Sequence, residues 1–229
     1  MERSVQNVRP VAWSRRALLE LVLVAAVGNS SLTSNARAER PLQFGLTPVF
    51  LTSDLELLTQ LKAYLARKCK FEVQLVQRRT YEEITTLLIS GQLDAAWICG
   101  YPFAQYRSEL ALVAVPVWRG EPLYESYIIV PAGRQVQGIE ELRGDLHAFS
   151  DPNSNSGYLV TVSLLSERRI RPEEFFKKTI FTYGHRNVVR AVASGLAQSG
   201  SVDGYVWAFD ATAMGAEPSD AAPRSRWLS

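Results

Sequence analysis

The sequence predicts an α/β protein made of two successive α/β units. Strand-like runs alternate with helix-like stretches from residue 41 onward, and that alternation implies parallel sheets whose ligands collect at the carboxyl ends of the strands. At 229 residues the chain can bury a substantial core in one large domain or two small ones. A third observation is the Ser/Asn-rich turn from Ser150 to Tyr158, set between a strand-like and a helix-like segment.

Pro41 leads into a strand, Leu42 to Leu46, that ends at Thr47 and Pro48. Ser53 and Asp54 have the chemistry of a helix cap, and Leu55, Leu57, Leu58, Leu61, Tyr64 and Leu65 then make one apolar face. Residues 71 to 76 alternate apolar and polar, as a strand does. Thr80 and Glu83 outline a capping box that opens a helix through Leu87, Leu88 and Ile89 and stops at Gly91. Leu93 to Cys99 reads as a buried strand ending at Gly100, Tyr101 and Pro102, and Leu110 to Trp118 as another. Thr47 and Tyr101 thus fall at strand ends, where a parallel sheet places its ligands.

Tyr124 to Val130 is the strand that leaves the first unit. The second unit continues with a short helix at Ile139 to Arg143, a strand at Leu146 to Phe149 and a helix at Leu159 to Arg168. A helix start at Pro172, a strand at Thr179 to Thr182, a helix at Asn187 to Gly195 and a strand at Gly200 to Trp207 complete it. From Ala211 the composition becomes that of turns and disordered tails.

Charge and cysteine usage narrow the function classes. The net charge is only +2, and Arg3, Arg9, Arg15, Arg16 and Arg37 put the excess at the N-terminus, so no basic surface for nucleic acid is expected. Arg15 and Arg16 precede an apolar run from Ala17 to Gly28, and Ala36-Arg37-Ala38 has the small-x-small pattern of a cleavage site, so residues 1–38 read as an export signal. A short membrane-anchor helix is the other reading of that run, although it is brief for a span. The chain has 2 cysteines, Cys69 and Cys99, and 2 histidines at unrelated spacings. They predict free thiols and no metal site.

The turn at Ser150 to Tyr158 has two readings. It is a capped helix start with nothing bound, or it is an anion cradle made of outward amides, the positive end of the helix dipole and the short side chains of Ser154, Asn155 and Ser156. Gly157 would then let a ligand approach the backbone. His185, Tyr101 and Tyr205 are candidate donors around such an anion. Tyr205 would share a strand with Val206 and Trp207, where sheet packing is the competing role, and Asp203 reads as a turn residue. A Ser–His–Asp triad lacks its nucleophile elbow, so no catalysis is expected.

Four segments carry a family resemblance. They are Gly91, Asp94 to Trp97 with Gly100; Phe149, Asp151, Pro152, Ser154, Ser156, Gly157 and Tyr158; Gly184 and His185 with Val188, Val192 and Gly195; and Val202 to Trp207. In this order the chain resembles, from about Pro41 to Phe209, the phosphate/phosphite/phosphonate-type substrate-binding proteins of ABC importers. The resemblance implies a type II periplasmic-binding-protein-like α/β fold: two α/β lobes with a cleft, over residues 39–125 and 126–210, followed by an aberrant tail at 211–229. It also implies that the first lobe is incomplete, because the family chain returns to that lobe after the strand matching Val202 to Trp207. Expected from it is a non-catalytic, periplasmic, monomeric protein without cofactor that binds a small oxyanion (phosphonate, phosphite or phosphate) and serves an ABC permease. The implied ligand residues are Ser154, Asn155, Ser156, Gly157, Tyr158, His185, Tyr101, Thr47 and Tyr205, with Asn155 departing from the usual Ser or Thr. A ligand-sensing domain of the same fold, a truncated remnant without function, and an enzyme on this fold are the alternatives.

Overall fold

A computed structural model describes residues 40–49, 55–117 and 120–213, with side chains to residue 208. The export signal, the cap at Ser53 and Asp54, and the tail from residue 214 lie outside the described residues. Among the described residues no helix is long and apolar enough to cross a membrane.

The first sheet is wholly parallel, in the order β2-β1-β3, from β1 (Leu42–Leu46), β2 (Val73–Gln77) and β3 (Ala95–Trp97). Helix α1 (Leu55–Cys69) connects β1 to β2, and α2 (Tyr81–Ile89) connects β2 to β3. The start of α2 follows from its sequence: Thr80 Oγ1 accepts the Glu83 amide at 3.1 Å while the Glu83 carboxylate accepts the Thr80 amide at 3.0 Å. Gly91, at φ 72°, supplies the left-handed residue that ends it.

The second sheet has the order β4-β7-β5-β6, from β4 (Ser126–Ile129), β5 (Leu146–Phe149), β6 (Lys178–Phe181) and β7 (Ser199–Asp203). β4 runs antiparallel to β7, whereas β5 is parallel to both β6 and β7. One cluster of its core joins Ile128, Phe149, Leu165 and Phe176 to Phe175 of α5 (Pro172–Phe175). The other joins Ala148 and Val202 to Val188, Val189 and Val192 of α6 (His185–Ala193), the face that an amphipathic helix buries.

Two expectations need correcting. Residues 110–117 join neither sheet, and Val113 is 90% exposed, so the strand expected at Leu110 to Trp118 does not form in the described part. An apolar run is only a candidate strand; without a neighbouring edge to bond to it stays extended chain. The strand expected to continue to Trp207 ends at Asp203, and Gly204 opens helix α7 (Gly204–Ala213), so Tyr205 and Trp207 are helical. A short helix not foreseen, α3 (Gly100–Gln105), follows β3.

A buried polar network crosses the second sheet. His147 on β5 places Nδ1 2.8 Å from Ser199 Oγ and Nε2 2.8 Å from Ser201 Oγ, both on β7. Ser201 Oγ lies 2.6 Å from Thr161 Oγ1 of α4 (Val160–Glu167), and the His147 ring stacks on Phe176 with centroids 4.3 Å apart. Burial pushes His147 down from 6.5 to about 3. The unfolded chain therefore binds this proton first as pH falls, and the contribution of the neutral ring to stability is present above about pH 6.5 and lost on acidification toward about pH 3. His147→Gln keeps a donor and an acceptor but cannot titrate. The advantage of the wild type over H147Q in urea denaturation should shrink by about 2 kcal/mol between about pH 7 and about pH 5. A difference that stays constant with pH would remove His147 from the acid response.

Candidate functional site

The chain turns at Ser150 and Asp151, just beyond β5, and re-enters helical structure through a π-turn, Asn155–Leu159, that runs on into α4. Ser154 is the cap. Its backbone is extended and its Oγ accepts the Gly157 amide at 3.0 Å. The positive end of the helix and the first-turn amides thus open at the carboxyl end of β5.

His185, the first residue of α6, faces this cap. The Asp203 amide donates to its Nδ1 at 3.1 Å, which makes Nδ1 the acceptor and puts the proton of the neutral ring on Nε2. That Nε2 lies 3.3 Å from Tyr81 Oη and 3.5 Å from Ser154 Oγ. Burial pushes His185 down from 6.5 to about 4, so the ring is a neutral donor at neutral pH. The pKa of Tyr81 is raised, chiefly by burial, with Cys99 and Tyr205 adding to it, and its hydroxyl stays protonated.

Asp203, at the end of β7, accepts the Tyr205 amide at 3.0 Å and the Ser156 hydroxyl at 3.3 Å. Burial pushes its carboxyl up to about 7 against those hydrogen bonds. Ser156 is held from behind as well, its carbonyl accepting from Ser126 Oγ at 2.7 Å. Asn155 meets residues outside the second sheet: its amide donates to Cys99 Sγ at 3.4 Å, and that sulfur lies 3.9 Å from the Tyr124 hydroxyl. Tyr124 packs edge-on to Tyr205, with ring centroids 5.9 Å apart. Burial raises the pKa of both phenols. Cys69 and Cys99 are both free thiols.

Of the residues expected at the site, Ser154, Asn155, Ser156, His185 and Tyr205 are gathered here. Gly157 is present for a different reason. A Cβ on it would lie 1.8 Å from Ser150 Oγ and 2.9 Å from His185 Cε1, so its missing side chain makes room for the protein rather than for a ligand. The Tyr158 ring packs into the core against Phe149 and Phe181, at 4.9 Å and 5.2 Å. Thr47 is buried and its hydroxyl donates to the Trp97 carbonyl at 3.2 Å. Tyr101 sits on α3 with an exposed ring. Tyr81, Tyr124 and Asp151 were not anticipated as members of the site. The position of Tyr81 just past the carboxyl end of β2 was the signal that could have found it. No group of metal-ligating side chains occurs among the described residues.

Residues 44–220 match the protein-family model described as ABC transporter, phosphonate, periplasmic substrate-binding protein. The chain belongs to this family. Among solved structures it is similar to PhnD1 of Prochlorococcus marinus in complex with methylphosphonate, with TM-score 0.67 and 19% identity over 82% of this chain and 72% of that one. It is also similar to a binding-protein component of an ABC phosphonate transporter from Pseudomonas aeruginosa, with TM-score 0.65 and 18% identity over 76% of this chain and 61% of that one. A Xanthomonas citri protein bound to chloride ion matches with TM-score 0.59 and 15% identity, over 82% of this chain and 73% of that one. At such identities the solved structures show the shared fold, type II periplasmic-binding α/β, and the family profile shows the membership.

The tight seat of Gly157 yields a prediction. Gly157→Ala forces Ser150 and His185 apart, and overpacking of this kind costs about 1–3 kcal/mol. Urea denaturation should show that loss, and Ser150→Gly in the same chain should recover part of it. If G157A is as stable as the wild type, the turn is looser than its contacts imply.

Proposed function

We propose that the chain binds a small tetrahedral oxyanion of the phosphonate class between the turn at Ser154 to Ser156 and the side chains of His185 and Tyr81, and delivers it in the periplasm to an ABC permease. The observation that carries this reading is the donor set. The Nε2–H of neutral His185, the hydroxyls of Ser154 and Tyr81 and the helix start converge within hydrogen-bonding distance of one another. Donors of this kind satisfy the several oxygens of one anion from different directions. The resemblance to a methylphosphonate complex and the family profile favour the phosphonate class over other oxyanions. Tyr124 and Tyr205 close the side next to Asn155, where the substituent on phosphorus would lie. Binding and release without turnover is the expected activity.

Isothermal titration with methylphosphonate, phosphite and phosphate tests this. The wild type should bind methylphosphonate. The S154A variant, which loses one hydroxyl of that donor set to a charged ligand, should bind about tenfold more weakly or worse while keeping its circular-dichroism spectrum. Equal affinity in the two proteins would move the ligand elsewhere. Consumption of methylphosphonate by the wild type would replace the binding reading with an enzymatic one.

A further inference from the structure

We propose that Asp151 is a latch that ties the turn at Ser154 in the second sheet to helix α2 beside the first. Its carboxylate is 1% exposed and divided between two donors: Oδ1 accepts the Asn153 amide at 2.8 Å, inside its own turn, and Oδ2 accepts the Tyr81 amide at 3.1 Å. Tyr81 is the first residue of α2. The capping box of Thr80 and Glu83 satisfies the amides of those two residues, and neither of its side chains serves the amide of Tyr81. A helix start leaves its first amides without partners in the helix, and a carboxylate placed there also meets the positive end of the dipole. Helix α2 therefore has a two-part cap, one part from its own segment and one from a residue 70 positions along the chain.

The consequence lies in what separation of the two sheets would cost. Drawing α2 away from the turn gives up the charge-assisted hydrogen bond from the Tyr81 amide and takes the carboxylate from the positive end of α2, a loss concentrated on one charged group. Tyr81 would release at the same time the hydroxyl contact to His185 at 3.3 Å. Asp151 also shapes the proposed anion site directly, because its carbonyl accepts the Ser154 amide at 2.9 Å. The latch and the cap of the π-turn are one piece of chain, so the grip on the anion and the approach of α2 are coupled. Asp151 acts here as a positioning residue with no contact of its own to the ligand.

Asp151→Asn separates the two halves of this role. The amide oxygen of D151N can still accept from Asn153 and keep the turn, but its NH2 then faces the Tyr81 N–H, donor against donor. Small-angle scattering of the ligand-free protein should give a larger radius of gyration for D151N than for the wild type. Stopped-flow measurement should show methylphosphonate leaving about tenfold faster, with association nearly unchanged. If D151N does not fold, D151S serves, since its hydroxyl can hold the turn but is too short to reach Tyr81. The kinetic arm rests on the function proposed above, and the scattering arm does not. A wild type that binds no phosphonate would overturn the functional reading and leave scattering to decide the latch. An unchanged radius of gyration overturns the latch.

Discussion

The hydrogen bond from the Asp203 amide to His185 Nδ1 orders the chemistry of the cleft. It consumes the lone pair on one side of the imidazole, and burial keeps the ring neutral, so the remaining proton sits on Nε2 and points at Tyr81 and Ser154. The bond is made by backbone at the end of β7, whose position is set by pairing with β4 and β5. A side chain that would otherwise rotate and choose between tautomers is thus aimed by the sheet. The same strand end carries the Asp203 carboxyl, which holds the Ser156 hydroxyl and the first turn of α7. Three elements meet at one residue, and the polarity of the proposed site follows from how that residue spends its backbone and side-chain groups.

Beneath this arrangement, the His147 network performs a related task inside the sheet. It ties β5 to β7 through Ser199 and Ser201, and to α4 through Thr161. The turn at Ser154 leaves from β5 and enters α4, while His185 is aimed from β7. The network therefore braces the same elements that carry the donors, one layer below them. Buried polar groups are costly unless every donor and acceptor is used, and here both ring nitrogens have a hydroxyl partner. Ser150 Oγ, by contrast, is buried with no hydrogen-bond partner, pressed under Gly157. That orphan lies where a Cβ on Gly157 would find no room, so the close fit of the turn outweighs one lost hydrogen bond.

The legible part of the chain was the part governed by local rules. The capping box at Thr80, the stop at Gly91, the alternation of strands and helices and the Ser/Asn-rich helix start all depend on a few neighbouring residues, and all are present in the fold. What was missed depends on partners far along the chain. Residues 110–117 have the composition of a strand, but strand formation needs an edge that composition does not show. Tyr205 and Trp207 alternate with Val206 as strand residues would, yet the carboxyl of Asp203 accepts the Tyr205 amide and starts a helix, a local signal that the apolar pattern masked. Asp151 stood in the sequence only as part of the turn that carries the family resemblance, and its second oxygen found Tyr81 across 70 positions. Gly157 shows the same limit in another form. The need for glycine was readable, but its cause, the closeness of Ser150 and His185, required three dimensions.

In the proposed site the donors named around Ser154 are uncharged, and this has consequences for how an anion would be held. A lysine or arginine in a buried cleft attracts negative charge from any direction and must itself be desolvated. Hydroxyls, amides and a neutral imidazole bring no net charge, so they leave no buried cation behind when the cleft is empty. Their hydrogen bonds to an ionised ligand are charge-assisted only when that ligand is present. They also point along fixed lines, so an anion gains fully only if its oxygens lie on those lines, which is how a tetrahedral group is told from a planar carboxylate. The buried carboxyl of Asp203 completes the picture. Burial holds its pKa at about 7, and a negative ligand nearby would push it further up. An anion entering this site would therefore be met by an acid that can stay protonated, so the repulsion it would otherwise feel becomes proton uptake at Asp203, beside the hydroxyl of Ser156.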